Sequence, residues 1–209
     1  MIVVEGSSLH LMQQVFRHVL DAFAHPGTVH RLPAELSREG GPLAFGAPLE
    51  TLVRLFVDQA VSFCVEDAES DAAERFLASE THAMRVPCRE ADFVVVPARA
   101  DAQTVRRAVL EASRGVLASP EKGATVLMGC DRIRAAGQKD GMPLHAVDVQ
   151  GPGVADVNRF GIDRIVWADA RAERGDDYPC GIEIVIVDDE GNLVAIPRSA
   201  RLSVDGRER

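Results

Sequence analysis

Apolar positions along this chain change spacing from helical to alternating, and those changes mark out its elements. Met12, Val15, Phe16, Val19, Leu20 and Phe23 recur every three or four residues and predict one helix with a single apolar stripe. Ser7 or Ser8 can cap it, Arg17 lies at the edge of the stripe, and His25-Pro26-Gly27 stops it. Thr28 to Leu32 is a short strand. Pro33 to Pro48, rich in Gly and Pro, is a loop. Leu49, Leu52, Val53 and Phe56 mark a second helix, followed by a strand over Ala60 to Val65 and a third helix over Ala72 to Ser79. Phe93 to Val96 is a strand closed by Pro97. Asp101 caps a fourth helix carrying Val105, Ala108, Val109 and Ala112, which Gly115 ends. Thr125 to Gly129 is a strand, with Leu144 to Val149 returning beside it and the polar segment Arg132 to Gly141 facing solvent between them. Ile162 to Ala172 is a last helix, with Ile162, Ile165, Val166 and Ala170 turned inward.

The clearest period of two lies near the C-terminus, in PCGIEIVIVDDEGNLVAIPRSAR over Pro179 to Arg201. Gly181 to Val187 is one strand, Asp188 to Asn192 a polar turn with glycine late in it, and Leu193 to Ile196 a returning strand ended by Pro197. Ile182, Ile184 and Ile186 share one face, while Glu183, Val185 and Val187 share the other. Two apolar faces predict an inner strand covered on both sides. Glu183 is then a carboxylate inside a buried strand, with Arg198 and Arg201 as its candidate partners. Strands and helices alternate to about Cys130 and hairpins dominate afterwards, which implies an α/β fold with a mixed β-sheet and helices packed on it. The whole of 1–209 reads as one domain, with Asp205 to Arg209 as an unordered tail.

Composition narrows the function. Of 209 residues, 46% are hydrophobic and 26% charged, as in a globular protein with a sizeable core. A formal net charge of -9 disfavours a nucleic-acid or anionic-membrane binder. No run reaches the ~20 apolar residues of a membrane span, and Met1 to Glu5 lacks the basic region and apolar core of a signal peptide. Cys64, Cys88, Cys130 and Cys180 form no CxxC pair and read as reduced thiols of a cytoplasmic protein.

Candidate chemistry is sparse. His25 and His30 stand five apart across a Pro-Gly break, with no HExxH and no Cys/His pair, so no metal site is expected. There is no GxSxG, and nothing pairs a cysteine with a histidine, so no catalytic residue is assigned. Gly151-Pro152-Gly153 could present amides to an anion, although Pro152 removes one donor, and such a lone motif is more often a simple turn. Pro120 to Thr125 is a turn entering a strand. Its Lys122, and Lys139, lie outside apolar runs, which disfavours a Schiff-base lysine and any pyridoxal-phosphate cofactor. Glu183 with an arginine is either a structural ion pair or a ligand or subunit contact.

Several landmarks then fall in order: Phe16-Arg17, Pro26-Gly27, Pro120-Glu121 with Gly123-Ala124-Thr125, Gly151-Pro152-Gly153, Pro179 with Gly181-Ile182, and Ile196-Pro197-Arg198. Each is weak alone. Together, from about Leu11 to Val204, they resemble the H subunit (PhnH) family of the carbon–phosphorus lyase system. The family commonly has aspartate at the position of Glu183 and threonine at that of Ser199, changes that keep the chemistry and alter its reach. The resemblance implies a three-layer fold similar to the large domain of pyridoxal-phosphate transferases, without the cofactor or its lysine. It also implies a homodimer that joins the G, I and J subunits, and so meets phosphonate or ATP through the complex. With G, I and the ATPase-like L subunit it would be required to make ribose 1-phosphonate 5-triphosphate from ATP and an alkylphosphonate, as an accessory rather than a catalytic subunit. Arg17, Glu183 and Arg198 are the expected polar contact cluster, with Gly151 and Gly153 as a backbone-defined turn. An independent small-molecule or nucleotide-binding enzyme, or a purely structural homodimeric scaffold, are the alternatives.

Overall fold

The computed structural model describes residues 6–36, 43–68, 70–138, 141 and 143–208. Part of the loop expected over Pro33 to Pro48, together with Met1 to Glu5 and Lys139, lies outside them. The first half runs α1 (Gly6–Ala24), β1 (His30–Arg31), α2 (Ala47–Phe56), β2 (Ser62–Val65), α3 (Ser70–Thr81), β3 (Met84–Arg85), a 3-10 turn (Cys88–Glu90), β4 (Phe93–Val96) and α4 (Ala102–Glu111). The second half runs β5 (Arg114–Val116), β6 (Ser119–Gly123), β7 (Thr125–Cys130), β8 (Ile133–Ala135), β9 (His145–Gln150), β10 (Asn158–Ile162), α5 (Val166–Arg174), β11 (Glu183–Asp188), β12 (Asn192–Ile196), β13 (Arg201–Val204) and β14 (Arg207–Glu208).

A seven-stranded mixed sheet in the order β1-β12-β11-β7-β4-β2-β3 forms the centre. The strands from β11 across to β3 are parallel, and β12 and β1 close one edge antiparallel. Its middle strands are covered on both faces, as a parallel sheet requires. Val185, Val187, Leu127 and Val95 bury against α1, α2 and α3. Ile184, Ile186, Met128 and Val94 bury on the other face against α4, α5 and a second, antiparallel sheet, β14-β13-β9-β10-β8. The fold is therefore mixed α/β, with helices on both faces of the large sheet. Among the described residues, no helix is long and apolar enough to cross a membrane.

The parallel connections reverse direction inside this sheet. The crossover from β2 through α3 reaches β3 at the edge, with the helix on one face; that from β4 through α4 reaches β7 toward the centre, with the helix on the other. Right-handed crossovers leaving in opposite directions must use opposite faces. The carboxyl ends of β2 and β4 thus flank a topological switch point.

The C-terminal hairpin forms with the register its alternation predicts, Ile184 opposite Ile196 and Val187 opposite Leu193. Asp101 caps α4, accepting a 2.7 Å bond from the Thr104 amide. Other expectations are corrected. β9 does not lie beside β7, whose neighbours are β4 and β11; it pairs with β10 and β13 in the second sheet. The Pro120 segment is not a simple turn but strand β6 of a hairpin with β5, which also takes up Gly115. Arg132 to Gly141 is not wholly solvent-facing, since it contains β8 with Ile133 fully buried. The last helix starts only at Val166, Ile162 ends β10, and Trp167 is the large buried residue of that helix, its indole N–H donating to the Arg164 carbonyl at 3.0 Å. The chain expected to trail off after Val204 turns at Asp205-Gly206, and Arg207–Glu208 pairs back on Ser203 and Val204.

Candidate functional site

Glu183 opens β11, and its amide bonds the Ala124 carbonyl at 3.0 Å. Its carboxylate is used at both oxygens: Oε1 accepts from Arg198 Nε at 2.6 Å and Oε2 from the Arg198 amide at 2.8 Å. Arg198 Nη1 donates in turn to the Pro120 carbonyl and, at 3.5 Å, to that of Pro179. One charge-assisted pair therefore ties the hairpin, the β5–β6 arm and the Tyr178-Pro179 turn together. The two side chains are only 15% and 21% exposed. Arg201, the other candidate partner, is exposed at the start of β13.

Close backbone approach makes this clamp possible. A Cβ on Gly123 would lie 2.2 Å from the Gly181 carbonyl oxygen and 3.0 Å from Arg198 Nη1. The Gly181 amide donates to the Arg114 carbonyl at 2.9 Å. A second junction adjoins the first. Gly153, at φ +85°, leaves room for the Ala24 carbonyl, which a Cβ would meet at 2.3 Å. Gly151, at φ +136°, faces the Ser199 carbonyl, 3.1 Å from where its Cβ would stand. Asn158 Nδ2 holds the Pro26 carbonyl at 2.8 Å. The Gly151-Pro152-Gly153 turn is thus wedged between the end of α1 and the segment that follows Arg198.

Between the two junctions opens a cleft of about 850 Å³, bordered by Pro152, Arg171, Asp176, Tyr178, Arg198 and Arg201. Most of its cationic groups hold main chain. Arg171 donates to the carbonyls of Pro197 and Arg198, each at 3.2 Å, and of Ala200 at 2.8 Å. Burial lowers the pKa of that guanidinium, opposed by Glu183 and Asp176. Arg174 Nη1 bonds the carbonyls of Val109, Leu110 and Ala112 at 2.5, 2.9 and 2.9 Å, filling acceptors left open at the end of α4. Its Nε holds Asp176 Oδ2 at 2.6 Å. Among the described residues the buried Asp176 Oδ1 has no hydrogen-bond partner, and Arg114 Nη1 stands off at 3.6 Å. Tyr178 projects at the rim, 73% exposed. The arrangement ties the hairpin, the β5–β6 arm and the Tyr178-Pro179 turn together and leaves the exposed Tyr178 ring and the exposed Arg201 open to a partner.

Of the sequence candidates, Glu183, Arg198, Gly151 and Gly153 converge here. Arg17 does not join them. It is exposed on α1 and lines a separate shallow depression with Gln14, His18, Asp21 and Glu35. Phe16 and Leu20, expected in the buried stripe of α1, are instead 43% and 53% exposed, and Leu9 on the same face is 57% exposed; Val15, Val19 and Ala22 supply the core side. Arg171, Arg174 and Asp176 escaped sequence reading, although two arginines in the last turn before Gly175 are a helix C-terminal signal.

A family model described as bacterial phosphonate metabolism protein (PhnH) matches residues 6–203, a span that includes both junctions and the cleft. No curated protein matches the chain.

Proposed function

We propose an assembly role from one premise: the chain belongs to the PhnH family of bacterial phosphonate metabolism proteins. In this role it is an accessory subunit of the carbon–phosphorus lyase core complex, forming a homodimer by itself and meeting the G, I and J subunits in the complex. With G, I and the L subunit it supports synthesis of ribose 1-phosphonate 5-triphosphate from ATP and an alkylphosphonate. A likeness to the large domain of pyridoxal-phosphate transferases belongs to the same proposal; the mixed sheet with helices on both faces is compatible with it.

The observation that carries the assembly role is the satisfied state of the Glu183–Arg198 pair. Both carboxylate oxygens are occupied, and the guanidinium spans two segments distant in sequence. Such a pair shapes a surface rather than performing chemistry on it. The exposed face of α1, with Leu9, Phe16 and Leu20 beside Arg17, supplies apolar and charged groups of the kind found at subunit contacts. Deleting the gene in a host that grows on methylphosphonate is expected to abolish that growth and leave growth on phosphate intact. Growth on both, in a host with no second copy, would overturn the proposal.

One observation favours a second role, direct binding of a small molecule. Asp176 borders the cleft, and among the described residues its buried Oδ1 accepts no hydrogen bond and stands 3.6 Å from Arg114 Nη1, an acceptor that a ligand hydroxyl could satisfy. Titrating ATP and methylphosphonate into the purified chain by calorimetry tests it: heat that Asp176→Asn removes supports binding in the cleft, and no heat at millimolar ligand excludes it.

A further inference from the structure

The carboxyl ends of β2 and β4, at the switch point of the large sheet, carry a group of side chains that the site above does not use. Cys64 and Glu66 are two apart at the end of β2, so strand geometry puts them on one face, the face of α4. The 3-10 turn Cys88–Glu90 packs against β2 on that side and brings in Cys88, whose thiol donates to the Ala108 carbonyl of α4 at 3.7 Å. The Cys64 and Cys88 sulfurs and a Glu66 carboxylate oxygen all lie within 4.8 Å of one another. The cysteines are 4% and 5% exposed. Glu66 lies beneath Arg107, which binds Glu66 Oε2 through Nε at 3.1 Å and Nη2 at 2.6 Å.

We propose that Cys64, Cys88 and Glu66 form a site for one thiophilic divalent cation of the zinc class, with Arg107 as its outer partner. Around a tetrahedral ion with ordinary Zn–S and Zn–O bonds, ligand atoms stand roughly 3.6–3.8 Å apart, so the three groups need only a small contraction. The charges also balance. Two thiolates and a carboxylate carry three negative charges, and the cation with the Arg107 guanidinium carries three positive ones, which suits a buried site. The second Glu66 oxygen can bind metal while Oε2 keeps Arg107, so the arginine orients the ligand in the manner of outer-shell partners. Arg107 is half exposed while the Glu66 side chain it binds is largely buried, which makes Arg107 the solvent-side member of the pair. Three protein ligands leave a fourth position for water or another small donor, and ligands favour such crevices at switch points. Sequence spacing conceals the group because residues 64, 66 and 88 meet only when the chain from β3 crosses back over β2.

The test is a cadmium titration of the reduced, chelator-treated full chain carrying Cys180→Ser, which removes the half-buried competing thiol. A sulfur-to-cadmium charge-transfer band saturating at one equivalent is expected. Cys64→Ser and Cys88→Ser should each abolish the band, and Cys130→Ser should leave it unchanged. Glu66→Gln, which keeps side-chain volume and the fold, should weaken zinc affinity, read by competition with a chromophoric chelator, on the order of tenfold or more. No stoichiometric band, a band that survives both cysteine changes, or unaltered affinity in Glu66→Gln would overturn the proposal.

Discussion

At the scale of single residues the account rests on Arg198. It is the only partner shown for both Glu183 oxygens among the described side-chain bonds, and it reaches two further carbonyls. Arg198→Met strands a largely buried carboxylate, so urea unfolding should show a loss on the order of 2–4 kcal/mol. Adding Glu183→Gln should recover part of it, because the uncompensated charge disappears. A loss no greater than that of an exposed arginine would contradict the clamp. His30 offers a pH-dependent counterpart. It packs at β1 with its side chain 11% exposed and its Nδ1 3.2 Å from Asp21, and its buried Nε2 has no hydrogen-bond partner among the described residues. Burial lowers its pKa from 6.5, assisted by His18 and His25 and opposed by Asp21. The folded state therefore takes up its proton at lower pH than the unfolded chain. The stability involved is fully present above pH 6.5 and is lost as pH falls through the depressed folded value. Thermal unfolding at about pH 7.5 and about pH 5.5 should show a smaller pH-dependent drop in His30→Asn than in the wild type; an equal drop would remove His30 from the account.

At the scale of elements, glycines separate close packing from mere turn geometry. Gly153→Ala drives a Cβ to 2.3 Å from the Ala24 carbonyl at φ +85°, and a cost of about 3 kcal/mol or more is expected. Gly175→Ala, at φ +58° with open space around it, should cost only about 1 kcal/mol. Equal melting temperatures for the two variants would mean that the wedge between α1 and the 151–153 turn is not tight. The sequence displays these elements unevenly, for physical reasons. The β11–β12 hairpin is legible because alternation and a glycine turn both act within one short stretch. Alternation fixes a face of β9 and not its neighbour, so its partner is not legible; the burial of Val147 and Val149 against the second face of the large sheet decides it. β6 reads as a turn because Pro120 and Gly123 dominate a strand whose pairing is with the short β5 arm. Glu183–Arg198 could be named from the hairpin alone, while Arg171 and Arg174 could not, since what they bind is backbone distant in sequence, and Asp176 takes its place from Arg174.

At the scale of the molecule, two surfaces are built for different tasks. The cleft is held by arginines committed to carbonyls, whereas the outer face of α1 leaves Leu9, Phe16 and Leu20 open beside Arg17. Because Phe16 and Leu20 are exposed, Phe16→Ser with Leu20→Ser should leave the melting temperature almost unchanged. The same pair of changes, or Arg17→Glu, should weaken assembly. Lost stability without lost assembly would place α1 in the core rather than at a contact. The measurement that bears most directly on the accessory-subunit role is co-expression of the tagged chain with the G, I and J subunits, followed by affinity purification and mass determination. The account predicts co-elution of all four in one complex, depleted by the α1 substitutions. Elution of this chain alone, at the mass of a dimer, would contradict it.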